Sequence, residues 1–211
     1  LSRAGEILVS TLDCNYIFES ISKLTVPYMA DWCSFDIMND VEVMENVITY
    51  HRNPQKVIKA KMMHELYWNH PSSEDDILKV LASGKTHIYH DAGKKIVKNT
   101  NLSSEQDTLI EELCDTTFLI IPLIAHGHSL GTLSFATYGS SKSYKQSDIA
   151  LGEELGRRVA LALENSKLYS FSQKAIELRN DFLSIASHEL NTPITSVKLQ
   201  LQMVNRTLNS K

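Results

Sequence analysis

From Arg157 to Thr192 the chain contains neither glycine nor proline. That absence constrains the fold more than any other feature, because nothing in the stretch breaks a helix. Apolar residues recur through it and beyond at alternating steps of four and three: Leu155, Val159, Ala162, then Tyr169, Ile176 and Leu183, then Leu190, Ile194, Val197, Leu201, Val204 and Leu208. Ser147 can cap the start of this helix, and Asp148 suits its first turn. Some 60 residues at roughly 1.5 Å each would span about 90 Å. A helix that long needs a packing partner, so the spacing predicts a coiled-coil-like seam and a homodimer through the C-terminal helix.

The seam carries Ser166, Gln173, Asn180 and Ser187 at one position of four successive heptads. A second apolar series, Leu168, Phe171, Ala175, Leu178, Phe182 and Ile185, runs out of step with it. Two partial stripes fit a wide buried face, as in a four-helix bundle. They fit equally a helix with two rotational settings. Steps of four at Phe182, Ala186, Leu190 and Ile194 look like a stutter joining the second stripe to the distal seam.

Upstream the pattern changes. Residues 1–145 hold six of the eight glycines and four of the five prolines. Helices are expected over Ser2–Leu12 and through Tyr16, Ile21, Leu24 and Tyr28. A hairpin follows, Asp31–Asn39 with Val41–His51, in which Cys33, Phe35 and Ile37 alternate with Ser34 and Asp36. Pro54 opens a helix to about Leu66, and Ser73 caps another that ends at Gly84. Thr86–His90 is a short strand, and Ser103 or Ser104 caps a helix to Asp115. "TTFLIIPLIAHGHSLGTLSFATYG" gives a second hairpin turning at His126-Gly127-His128, with Pro122 favouring an edge or bulge. The class is α+β, with helices on an antiparallel sheet.

"FLIIPLIAHGHSLGTLSFA", followed by "YKQSDIALGEELGRRVALALENSKLY", resembles the last strands and closing helix of the GAF-domain family. The resemblance spans roughly residues 1–170. It implies a sensor and dimerisation module over 1–150, whose small-molecule pocket would lie between the sheet and segment 52–115. No ligand residues are assigned, and the module is also compatible with binding nothing. The Asn-Lys…Phe…Asp-Glu signature of the cyclic-nucleotide type is absent, and no cysteine neighbours a histidine as the bilin type requires. His126 with His128, and His87 with His90, read as exposed turn and strand histidines rather than a metal site, so no metal is expected. Met62-Met63-His64 reads as core filling rather than haem ligation.

Composition sets outer bounds. A net charge of −4 offers no basic surface for nucleic acid or an anionic membrane. No apolar run approaches the roughly 20 residues of a membrane span, so no membrane contact is expected of these residues. Cys14, Cys33 and Cys114 are odd in number and lack a CxxC, which predicts free thiols and a cytoplasmic setting. Leu1 in place of Met points to a piece of a longer protein.

"SHELNTPI" (187–194) then puts a histidine, a carboxylate, a hydroxyl and a proline in one helical stretch. A zinc protease motif would need a second histidine where Thr192 stands. An ordinary exposed histidine would leave the neighbouring residues unexplained. A phosphoacceptor explains more of them: a neutral imidazole attacks a γ-phosphoryl group while the Glu189 carboxylate fixes the other ring N–H. Thr192, one turn on, is placed to position a water. Pro193 deprives the Glu189 carbonyl of its helical partner and should loosen or kink the helix there.

"FLSIASHELNTPITSV" (182–197) also closely resembles the H-box of sensor histidine kinases, with Asn191 where that family usually has Arg. The resemblance implies phosphorylation of His188, assistance by Glu189, phosphatase action through Thr192 and a response regulator receiver domain as partner. It divides the helix into a signalling segment (147–181) and the first helix of a dimerisation and phosphoacceptor domain (182–211). ATP and Mg would be held by a domain of the parent protein. These 211 residues carry no nucleotide-binding motif and are expected to be inactive alone. The alternative is a non-catalytic ligand-binding or dimerisation module with a degenerate His-box.

Overall fold

The computed structural model describes residues 13–39, 43–68, 71–91, 94, 111, 114–138 and 143–208. The helices expected over 2–12 and 103–115 lie almost wholly outside them. Two compact units divide the chain, residues 1–166 and 167–211.

The first unit begins with α1 (Cys14–Met29), whose N–H groups at Asn15 and Tyr16 donate to the Asp13 carboxylate at 2.9 and 3.3 Å. That cap satisfies donors the helix leaves orphaned. Strands β1 (Trp32–Met38) and β2 (Met44–His51) form the first hairpin. A 3₁₀ turn (Pro54–Lys56) leads into α2 (Val57–Trp68), and α3 covers Pro71–Ser83. α3 begins two residues before Ser73, so Ser73 lies inside the helix and is not its cap; Pro71 stands at the first helical position, where its missing N–H costs nothing. Gly84, at φ +62°, ends the helix.

Strand β3 (His87–Tyr89) precedes the long hairpin β4 (Thr116–Ala125) and β5 (His128–Tyr138). The five strands order β2-β1-β5-β4-β3, with every neighbouring pair antiparallel. The turn between β4 and β5 is tighter than expected: His126 and Gly127 alone make it, at φ +47° and +83°, and His128 already pairs with Ala125. Pro122 pairs with Thr132 on β5, whereas β3 reaches only Phe118–Ile120. Proline therefore stands where β4 has no partner strand on its other side among the described residues.

Both sheet faces are covered. One packs on α1 and on the start of α4 (Gln146–Leu208): Ile17, Phe18 and Ile21 of α1 and Leu155, Val159 and Leu163 of α4 meet Phe35, Ile121, Leu133 and Phe135. Full burial of each such side chain contributes roughly 1.5–3 kcal/mol. The first three members of the heptad series, Leu155, Val159 and Ala162, are thus spent on the domain's own core. The opposite face carries Trp32, Phe118, Ile120 and Ala136 under Ala60 and Met63 of α2 and Val80 of α3.

The second unit is the remainder of α4. The helix is continuous through Pro193, over 63 residues in all. Along it Leu168, Phe171, Leu178, Phe182 and Ile185, and the seam residues Tyr169, Ile176 and Leu183, are all exposed. Among the described residues no helix is long and apolar enough to cross a membrane.

Candidate functional site

The face of the sheet under α2 is greasy at one end and polar at the other. Register puts Trp32, Ser34 and Asp36 of β1 beside Ala136, Ser134 and Thr132 of β5, so all six side chains share that face. Ser34, Asp36, Thr132 and Ser134 are buried, none more than 1% exposed. Alternation in β1 therefore does not mean polar residues facing water; it separates an apolar core from a buried polar floor.

His64 of α2, 1% exposed, closes over this floor. Its Nε2 lies 2.7 Å from Asp36 Oδ1, and its Nδ1 lies 3.2 Å from Ser34 Oγ. With Asp36 ionised, Nε2 carries the proton and donates, which leaves Nδ1 to accept the Ser34 hydroxyl. Asn46 Nδ2 donates to the same Oδ1 at 3.0 Å, and Thr49 Oγ1 donates to Asn46 Oδ1 at 3.1 Å.

A β-bulge makes this possible. Phe35 pairs with Ile48 but Asp36 pairs with Asn46, so Val47 is the extra residue. Without the bulge, Asn46 would face the opposite side of the sheet. A glycine allows the close approach on the other flank: a Cβ on Gly131, at φ +151°, would sit 2.1 Å from the Asp36 carbonyl oxygen.

Several polar atoms of this face have no hydrogen-bond partner among the described residues: Asp36 Oδ2, Thr132 Oγ1, Ser134 Oγ and Trp32 Nε1. Trp32 meets His64 edge-on at 6.2 Å and Phe118 at 5.4 Å between centroids. His51, on the same face beside Trp32, accepts from the Asn53 N–H at 2.8 Å, and its Nε2 is likewise unpartnered. Burial, then the nearby Lys56 charge, hold its imidazole below the ordinary value.

The remaining candidates fall elsewhere. Cys33 lies on the opposite face, where burial pushes its thiol up to about 12 although it contacts Ser22 Oγ at 3.2 Å; it is a packing residue. His126 and His128 are exposed, and His126 pairs with Glu164 of α4. Among the described residues no three groups are placed to hold a metal ion. Met63 is buried core and Met62 is exposed, while their neighbour His64, set aside with them on sequence grounds, is the residue that caps the polar floor. A cleft of about 310 Å³ lies elsewhere, against Gly84, Thr86, Pro122, Glu153 and Arg157.

His188 and Glu189 are exposed on α4. Thr192 and Pro193 lie on the same continuous helix, with their side chains outside the described residues.

No protein-family model matches this sequence, and no curated protein sequence does. Solved structures do match by shape. The GAF domain/HD domain protein from Geobacter sulfurreducens aligns at a TM-score of 0.55 and 14% identity, over 76% of this chain and 98% of its own. The GAF domain of the cyanobacteriochrome TePixJ aligns at 0.55 and 16%, over 76% and 95%. The GAF domain of a phosphoenolpyruvate-protein phosphotransferase from Coxiella burnetii aligns at 0.57 and 16%, over 80% and 93%. The five-stranded antiparallel sheet with helices on both faces is therefore a GAF-domain fold, here continued by a long C-terminal helix.

Proposed function

We propose that these residues are the sensory and dimerising part of a two-component sensor histidine kinase, with His188 as phosphoacceptor. The carrying observation is the Ser187–Ile194 stretch itself, set on an unbroken helix that starts in the core of a GAF-fold domain and exposes His188 and Glu189 to solvent. An exposed imidazole can reach the γ-phosphoryl group of Mg-ATP held by a nucleotide-binding domain of the parent. Glu189 steadies the ring N–H as the N–P bond forms, and Thr192 orients the water that later removes the phosphoryl group. A receiver-domain aspartate takes the phosphoryl group onward, in the cytoplasm where ATP is plentiful.

The buried polar floor at Asp36 and His64 supports a ligand-sensing role for the first unit, because its unpaired atoms leave interactions for a small molecule to complete. Exposed apolar stripes on α4 beyond residue 167 support a dimer of two such helices.

The intact parent, incubated with γ-labelled Mg-ATP, should acquire an acid-labile label. His188→Gln should abolish it, and Glu189→Gln should slow its formation about a hundredfold or more. Undiminished labelling of His188→Gln refutes the assignment.

A further inference from the structure

We propose that the floor beneath α2 is a site for a nitrogen cation, a primary amine or amidinium group, with Asp36 Oδ2 as its principal acceptor. This inference rests on the reading of the first unit as a ligand-binding module and adds the chemical class of the ligand.

The asymmetry of one carboxylate carries the argument. Oδ1 accepts from both His64 Nε2 and Asn46 Nδ2, at 2.7 and 3.0 Å. Those two donors come from different elements and fix the plane of the carboxylate. Oδ2, on a residue 1% exposed, has no partner among the described residues. A carboxylate oxygen removed from water and left unpaired is costly, and a native fold rarely keeps one without a use.

The neighbours have the same need. Thr132 stands directly across the β1–β5 ladder from Asp36, and Ser134 across from Ser34. Neither hydroxyl has a partner among the described residues. Three oxygens on neighbouring rungs of one sheet face are thus held ready to accept, Thr132 at the roughly 5 Å spacing of a cross-strand pair from Asp36 and Ser134 at the roughly 7–8 Å of a diagonal one. An ammonium offers three N–H donors and an amidinium four, which matches this set. A carboxylate or phosphate would instead meet the Asp36 carboxylate, with no lysine or arginine among the buried groups of the described residues to offset it. The histidine does not reverse this preference, since its Nε2–H is already committed to Oδ1.

The test uses the 211-residue chain and four probes of one shape: benzylamine and benzamidine, with benzyl alcohol as the neutral and benzoate as the anionic counterpart. Saturation-transfer NMR reads binding, and circular dichroism confirms folding of each variant. Wild type should bind the amine and amidine saturably. Asp36→Asn and, independently, Thr132→Val should each weaken both by tenfold or more. Thr132→Val loses only an unpaired hydroxyl, so its fold should persist and its unfolding midpoint should rise if anything. Benzoate or benzyl alcohol binding as tightly as the cations, and weakened by Thr132→Val, overturns the cation class while the small-molecule site stands. Amine binding unchanged in both variants also overturns the assignment to Asp36. Absence of binding by all four probes overturns the class and the site reading together.

Discussion

Gly131 shows how one residue holds the polar floor in place. Its φ of +151° and the 2.1 Å approach of a virtual Cβ to the Asp36 carbonyl mean that any side chain must push β1 away from β5. Gly131→Ala should therefore destabilise the fold by about 2–3 kcal/mol, read as a lower urea midpoint. Gly127→Ala, strained in φ but facing open space, should cost less. His51 gives the fold a pH dependence. Its imidazole titrates below the ordinary 6.5, so the folded state favours the neutral ring. That contribution is fully present above the unfolded value and is lost as pH falls through the folded one. The urea midpoint should drop between pH 7.5 and 5 by more in wild type than in His51→Gln; equal drops would show that another group governs acid sensitivity.

Among the elements, α4 has two differently placed stretches that its uniform sequence pattern conceals. Leu155, Val159 and Ala162 continue the heptad spacing without a break, yet they pack on the domain's own sheet. Spacing reports that a stripe is buried, and says nothing of whether the partner lies in the same chain. Beyond Lys167 the same spacing leaves Tyr169, Ile176 and Leu183 exposed, alongside the out-of-step Leu168, Phe171 and Leu178. Replacing Ile176 and Leu183 together by lysine should shift sedimentation from dimer to monomer while leaving the spectrum of the sheet domain unchanged; an unaltered dimer would place the interface elsewhere. Cysteine scanning over 168–183 then separates the two readings of the stripes. A single crosslinking phase under every condition fits a fixed bundle, and two phases fit a helix with two settings. The hairpins and the long helix were legible because period and turn chemistry are local signals. The polar floor was not, because it arises from β1 and β5, about 100 residues apart in sequence, and from a bulge at Val47 that turns Asn46 onto the Asp36 side. Read locally, Ser34 and Asp36 alternate like any solvent-facing pair.

For the whole molecule, the closing helix of a GAF-fold domain continues unbroken into the stretch that carries His188. The helix that carries His188 is anchored in the same core as α1 and the sheet, through Leu155, Val159 and Leu163. The polar floor occupies the opposite face of that sheet, so one layer of strands separates the proposed ligand from the start of α4. The proposed phosphoacceptor chemistry of His188 stands at the far end of α4. Phosphoryl-site mapping by mass spectrometry, on the intact parent labelled with Mg-ATP and kept at alkaline pH to preserve phosphoramidates, tests it most directly. A single N-linked phosphoryl group on the His188 imidazole is expected. Phosphate found on a different residue, or none on His188 in a parent that hydrolyses ATP, would contradict it.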